Sequence, residues 1–347
     1  MEPWILKMLR SRSRRRVLAW AAVFAGVLAF AYSQSRYIDN FIHGPFDVGP
    51  AELDEIKDVA TTPHYFVHVR GSGVVDTGLE QIEIHKTRGV ETSRSVAARF
   101  YLLNIGEKAL LCRGTMGASR EFEGSLGPID GELGAKLLTS RGVAAAQSKL
   151  YPYSLDTGSF RLPGYIAIGV FVVLLVLFAR SGIPSIRFMR DPAAHPLVTR
   201  ASRWGDLRNV SGEVEREAAA PKLSSANGWM ITENYMIRSS ALTFDVLRLE
   251  DLLWAHKKVI KRRVNFVPAG KTFQSIFHFL GGNAVLQARE AGVNEALKLV
   301  AQRVPWAAFG YSAELSTRFR KNTQEFVQAV AQRRQEWAKT QRVEARK

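Results

Sequence analysis

Two uncharged apolar runs interrupt a chain that otherwise alternates between short strand-like and helix-like patterns. The first is Val17–Ser35, with an apolar core from Val17 to Tyr32. The second is Leu162–Ala179, reading LPGYIAIGVFVVLLVLFA. A helix rises about 1.5 Å per residue, so runs of roughly 18–19 residues span about 27–29 Å, close to the hydrocarbon thickness of a bilayer. Both runs therefore predict transmembrane helices. Neither contains a charged residue, which argues against a proton or ion pathway along them.

Between the runs the pattern has a period near two. Residues 50–60 (PAELDEIKDVA) predict a short helix, with Pro50 at its start and acidic residues in its first turns. His64–Arg70 then alternates, with Tyr65, Val67 and Val69 on one face and His64, His68 and Arg70 on the other. Gln81–Lys86, Val96–Leu103, Ala109–Arg113 and Arg120–Phe122 are further strands, with turns at Gly71-Ser72-Gly73, Asn104-Ile105-Gly106 and Gly114–Gly117. Short strands at this spacing predict a small β-barrel or sandwich of the OB or SH3 type. Gly124–Ser159 is rich in glycine and polar residues and reads as a partly ordered return to the membrane, with a helix at Leu133–Leu138.

After the second run, Pro184, Pro192 and Pro196 break the path. His195–Trp204 predicts a short helix ending at Gly205, and Asp206 caps another in which Leu207, Val210 and Val214 recur. Glu213, Glu215 and Glu217 are spaced by two, which puts neighbours on different helix faces, so they read as a solvated charge run. From Trp229 the pattern is β: Gly228–Thr232 and Tyr235–Ser239 flank Glu233-Asn234, and Thr243–Arg248, Leu252–Lys258, Val259–Val267, Thr272–Leu280 and Ala284–Ala288 follow. Phe273, Phe277 and Phe279 share a strand face and read as core. Ala291–Arg303 is a helix stopped by Pro305. Tyr311–Arg342 reads as one long amphipathic helix with Leu315, Phe319, Phe326, Val330 and Trp337 on its stripe.

Charge adds orientation. Lys7, Arg10, Arg12, Arg14, Arg15 and Arg16 precede the first run against Glu2 alone; Arg180, Arg187 and Arg190 follow the second. Residues 1–32 carry 6 basic and 1 acidic groups, residues 33–163 carry 14 and 16, and residues 164–347 carry 28 and 15. Basic residues beside a span stay cytoplasmic. The expectation is a membrane protein with both termini cytoplasmic and residues 36–161 outside. Ala29-Phe30-Ala31 offers a signal-peptidase site, but the apolar core is longer than the roughly 7–15 residues of a signal h-region. The anchor reading is preferred.

The expected layout is a basic N-terminus (1–16), a first span (17–35), an extracytoplasmic β-rich domain (36–161), a second span (162–180), a linker with short helices (181–227), a β-domain (228–304) and an amphipathic basic helix and tail (305–347). The fold class is membrane-anchored α+β.

About seven strands closed by a C-terminal helix is the order of a pleckstrin-homology (PH) barrel. ITENYMI (Ile231–Ile237) and VLRLEDLLWAHKK (Val246–Lys258) resemble strands of bacterial PH-like domains. RVPWAAFGYSAEL (Arg303–Leu315) is similar to a bacterial family of membrane proteins of unknown function. The resemblance covers about residues 195–315. It implies a PH-like barrel and membrane attachment, not a reaction. Lipid-binding PH domains use basic residues around the first hairpin, whereas here that turn is Thr232-Glu233-Asn234.

Candidate chemistry is sparse. His64 and His68 lie about 13 Å apart on a strand, too far to share an ion. Cys112 is the only cysteine, so no intrachain disulfide can form. No GxGxxG, P-loop, HExxH or GxSxG occurs. No catalytic residue, cofactor or metal ligand set is assigned, and the charge of +16 needs no nucleic acid to explain it. One basic cluster stands out: Lys257, Lys258, Lys261, Arg262 and Arg263. Beside a bilayer it would attract anionic lipid, each charge near the surface contributing about 1 kcal/mol. Two functions remain open: a membrane-anchored binding or scaffold protein that engages other proteins, or an enzyme or enzyme subunit whose site no motif reveals.

Overall fold

The computed structural model describes residues 2–87, 90–114, 119–129, 131, 150–226, 228–264 and 267–344. The expected helix at Leu133–Leu138, and the turn at Gly114–Gly117 beyond Gly114, lie outside the described residues. The chain forms two compact units. The middle unit is Ala22–Leu177; the terminal unit joins Met1–Ala21 to Phe178–Lys347.

Helices α1 (Trp4–Ser33) and α4 (Leu162–Arg190) are long and apolar enough to cross a membrane, and their apolar windows are almost wholly unburied within the chain. A core helix of a soluble protein would be covered instead. Helix α1 begins well before its apolar run. Ile5, Leu9 and Ser13 recur every four residues and are buried, so the basic stretch is itself an amphipathic helix. Helix α4 continues through Pro184. The proline removes one backbone donor, and next to it the Ser185 hydroxyl donates to the Ser181 carbonyl at 2.6 Å.

In the middle unit, α2 (Ser35–His43) leads to β1 (Phe46–Asp47), α3 (Pro50–Glu55), β2 (Phe66–Arg70), β3 (Gly73–Thr87), β4 (Val90–Ile105), β5 (Lys108–Gly114), β6 (Glu121–Pro128) and β7 (Leu150–Asp156). These strands make one open sheet in the order β1-β2-β6-β7-β5-β4-β3. The expected barrel or sandwich is therefore drawn more coarsely by the structure, as a seven-stranded sheet. Strand β7 corrects the reading of Gly124–Ser159. It lies inside the sheet, antiparallel to β6 and parallel to β5. Tyr151, Tyr153 and Leu155 alternate into the core. Pro152 masks the pattern in sequence; it falls where the pairing with β5 shifts register, between the partners of Ala109 and Leu111. The core also holds Val67, Val69, Tyr101, Leu103, Leu110, Cys112, Phe122 and Leu126. Fully buried Asn40 ties α2 to the sheet: its Oδ1 accepts from the amides of Tyr65 and Phe66, and its Nδ2 donates to the Pro63 carbonyl.

The terminal unit continues from α4 through a 3₁₀ turn (Pro192–Ala194) to α5 (Pro196–Ala201) and α6 (Leu207–Ala219). The Asp206 carboxylate caps α6 by accepting from the amides of Arg208 and Asn209. Strands β8 (Ser224–Ala226), β9 (Trp229–Ile231), β10 (Tyr235–Ser239) and β11 (Phe244–Arg248) form one open four-stranded sheet. Strands β12 (Leu252–Val264), β13 (Val267–Phe279), β14 (Gly282–Ala288) and the short β15 (Ala308–Phe309) form a second, with α7 (Glu290–Arg303) between β14 and β15. Two open sheets thus stand where a single closed barrel was expected. They share one core: Trp229, Ile231, Met236 and Leu247 from the first meet Ala255, Phe277 and Leu286 from the second, with Ala296 and Val300 of α7. The two strands expected at Leu252–Lys258 and Val259–Val267 are one continuous strand, β12, paired along its length with β13.

The expected final helix is two. Helix α8 (Ala313–Lys321) ends at Asn322, and α9 (Thr323–Glu344) buries Phe326 and Val330 in the same core. Trp337 stays 40% exposed and packs on Trp306 at 4.9 Å between ring centroids.

A third core contains Ile5 and Leu9 of α1 with Leu197, Val198, Val210, Val214, Tyr235, Ile237, Phe244 and Val246. Trp4 packs edge-on against Phe244 at 5.4 Å. The Ile5 amide donates to Ser211 Oγ at 2.9 Å, and the Arg16 guanidinium to the Leu242 carbonyl at 2.6 Å. The segment read from sequence as a plain basic terminus is structural.

Candidate functional site: an aromatic groove on the terminal unit

Pairing of β12 with β13 sets opposite Trp254 and His278, His256 and Ile276, Lys258 and Gln274. Alternation sends this set to one face of the sheet. Ala255 and Phe277, of the other parity, enter the core. The segment after β15 and helix α8 cover part of the first face, and a groove of about 600 Å³ remains beside them.

Aromatic rings dominate this groove. Trp254 stacks on His256 (4.2 Å between centroids, 28° between planes) and on His278 (5.0 Å, 16°). The two imidazoles are 5.5 Å apart and nearly parallel. Tyr311 lies at 22° to the Trp254 plane, and Phe319 of α8 stands 4.9 Å from His278. Trp254 is 3% exposed; its indole N–H donates to the Gly310 carbonyl at 2.7 Å and fixes the ring. Tyr311, in contrast, is 63% exposed.

The imidazoles are held neutral. Burial pushes His256 down to about 4, helped by the neighbouring His278 and Lys258. Burial also lowers His278, against an opposing hydrogen bond between its Nδ1 and Asn283 Oδ1 at 3.1 Å. His256 is 6% exposed, and its Nδ1 has no hydrogen-bond partner among the described residues. Such an unpaired buried nitrogen is costly unless something else meets it. Three cations border the groove: Lys258 of β12 and Arg320 of α8 are exposed, and Lys257 is half-buried and paired with Glu290 of α7. No carboxylate lines it among the described residues.

The structure distributes the five cations of the sequence cluster. Lys257 is engaged: its Nζ lies 2.5 Å from Glu290 Oε1 and 3.1 Å from Asn294 Oδ1, both on α7, and 5.3 Å from the Phe273 ring centroid. Lys258 borders the groove. Lys261 and Arg263 are exposed. Arg262 pairs with Gly270 in the backbone ladder, and the register shifts between Arg262 and Arg263.

Other sequence candidates resolve into packing. His64 precedes β2 and stacks on Phe46 at 3.9 Å, while His68 Nδ1 is 2.7 Å from Asp47 Oδ1. Among the described residues no group of three or more His, Cys, Asp or Glu side chains could hold a metal ion. The Glu213–Glu217 run is more than solvated charge. Glu213 accepts from the Tyr235 hydroxyl at 2.9 Å, and Glu217 accepts from the Thr232 hydroxyl and from the backbone and side-chain N–H groups of Asn234. Those carboxylates pin the turn that the sequence shows only as acidic.

The groove is hidden in the sequence because the Phe273–Phe277–Phe279 face of β13 carries the stronger apolar pattern. The opposite parity, Ile276 and His278, forms the floor. Its match in β12, Trp254-x-His256-x-Lys258, was visible; the closure by Tyr311 and Phe319, more than fifty residues later, was not.

Compared with protein-family models, with curated proteins and with solved structures, the chain matches none.

Proposed function

We propose that the protein is a non-catalytic, membrane-anchored binding or scaffold protein. Two helices hold the middle unit outside a bacterial inner membrane and the terminal unit in the cytoplasm. One observation carries this reading. Residues before the first apolar run and residues after the second build a single core, Ile5 and Leu9 with Leu197, Val210 and Phe244. A chain whose two ends fold together must return to its starting side after its apolar helices. Arginines at the terminal-unit ends of both helices favour the cytoplasm for that side. The PH-like character of residues 228–304 belongs to this proposal, supported by strand order and by a helix following the last long strand. Contact with anionic lipid is proposed for Lys258, Lys261, Arg262 and Arg263; Lys257 takes part less, because Glu290 neutralises it.

Membrane-impermeant maleimide labelling in intact cells tests the topology. Native Cys112 is fully buried and silent. Ser93→Cys in β4 and Thr340→Cys in α9 both replace exposed residues. Ser93→Cys should label in intact cells and Thr340→Cys only after lysis. The reverse pattern, or equal labelling, overturns the arrangement.

A further inference from the structure

The aromatic groove has a chemistry of its own, independent of whether α1 and α4 cross a bilayer. Three of its rings are near-parallel: Trp254, His256 and His278 lie within 28° of one another pairwise, while Tyr311 is at 22° to Trp254 and 49° to His256, and Phe319 is tilted by 47–53° against His278 and Trp254. A planar ligand can continue such a stack, whereas an acyl chain gains nothing from ring parallelism. Tyr311 leaves most of its surface open to such a ligand. The charge is one-sided. Lys258 and Arg320 border the groove, neither has a carboxylate partner among the described residues, and no acidic side chain lines it. An anion is therefore favoured at the rim. The Ser316 hydroxyl, on the half-buried wall of the groove, supplies a polar point for a ring edge. The space of about 600 Å³ falls within the range of small-molecule sites.

We propose that this groove binds a small planar aromatic anion of the nucleoside phosphate class, its base continuing the Trp254–His256–His278 stack and its phosphate meeting Lys258 and Arg320. The rest of the groove explains the preference. Stacking on aromatic side chains tolerates any base, and the phosphate needs only nearby cations, so no Gly-rich phosphate loop is required for modest affinity. The neutral imidazoles matter as well, since they present flat apolar faces rather than extra charge.

The test uses the full chain in lipid nanodiscs and isothermal titration calorimetry near pH 7.5. AMP and UMP carry both ring and phosphate, adenosine lacks the charge, ribose 5-phosphate lacks the ring, and decanoate is an aliphatic anion. Saturable binding of AMP or UMP is expected, with adenosine and ribose 5-phosphate each at least about fivefold weaker. Tyr311→Leu should weaken AMP about fivefold or more. Lys258→Gln with Arg320→Gln should weaken AMP similarly and leave adenosine unchanged. All three positions are exposed, so the fold should survive, and unchanged circular dichroism confirms it. Absence of saturable nucleotide binding overturns the proposal. So does equal binding of ribose 5-phosphate, displacement of AMP by decanoate at lower concentration than by UMP, or insensitivity to both sets of substitutions.

Discussion

Leu9→Ala should release the first turns of α1 from the terminal unit without altering the apolar run. Leu9 is 3% exposed and packs in the core formed with α5, α6, β10 and β11. A buried Leu→Ala change costs about 2–5 kcal/mol, with the larger values where the surroundings cannot collapse into the cavity. Here the neighbours Val210, Val214, Ile237 and Val246 belong to elements fixed by their own hydrogen bonds, so collapse is limited. Besides Leu9 the docked turns are held by buried Ile5, by the partly buried Trp4, Leu6 and Met8, and by the bonds from the Ile5 amide, Arg12 and Arg16. Burial of a side chain the size of Ile or Leu contributes about 1.5–3 kcal/mol. Leu9 is one of the two buried side chains among these five, so losing it and gaining a cavity removes a large share of the docking energy. At roughly 2–4 °C per kcal/mol for a domain of this size, the melting temperature of the terminal unit should fall by about 5–15 °C. Limited trypsin digestion should also become faster at Arg10, Arg14 and Arg15, which a docked helix protects. Leu18→Ala, at a side chain 58% exposed in the same helix, is the control and should shift stability by less than about 0.5 kcal/mol. If Leu9→Ala behaves like Leu18→Ala in both assays, the helix does not belong to that core. The inference that the two chain ends share one side then loses its support.

Other expectations are briefer. His256 and His278 are both held below the ordinary imidazole range, so the unfolded chain binds more protons than the folded one as pH drops below about 6.5; stability is complete above that value and declines as pH falls toward about 4. Because the groove admits solvent, the full His256 shift should be discounted by about half, leaving roughly 1–2 kcal/mol, and denaturant melts of His256→Gln should show a shallower pH dependence between pH 7 and 4.5. Cys112 is buried and its thiol is pushed up to about 12, so maleimide should modify it only in denaturant; rapid native labelling would contradict the β5 placement. At Gly124 in β6 an added Cβ would collide with the Asp156 carbonyl oxygen, so Gly124→Ala should destabilise the middle unit by about 1–3 kcal/mol, read as an earlier calorimetric transition with the terminal-unit transition unmoved.

Legibility in the sequence followed the range of the interactions. The apolar runs, the strand at Trp254, the Asp206 cap and the helix after β14 were readable because period, capping and breaker residues act within a few positions. Strand β7 was not, because Pro152 and a glycine-rich approach carry the local signal of a loop. What makes Leu150–Asp156 a strand is the slot between β5 and β6, and that slot exists only once distant segments pair. The same limit applies to the N-terminal helix. Its arginines dominate the composition and suggest a solvated tail, while Ile5 and Leu9 acquire meaning only against α5 and α6.

The groove shows the limit most sharply. In the sequence five cations fall between positions 257 and 263, a proximity along the chain that suggests a patch. A strand divides such a run between two faces, and one member, Lys257, is taken up by Glu290 of α7. The cation that complements Lys258 at the groove is Arg320, sixty-two positions away on α8. Charge clustering in sequence and charge clustering in space are thus separate properties in a β-rich unit. The second is decided by strand parity and by which helix closes the face. A functional test aimed at the sequence cluster would reverse Lys257 and break an internal ion pair, while leaving Arg320 untouched. Substituting Lys258 and Arg320 together probes the electrostatics of the groove while leaving the Lys257–Glu290 contact in place.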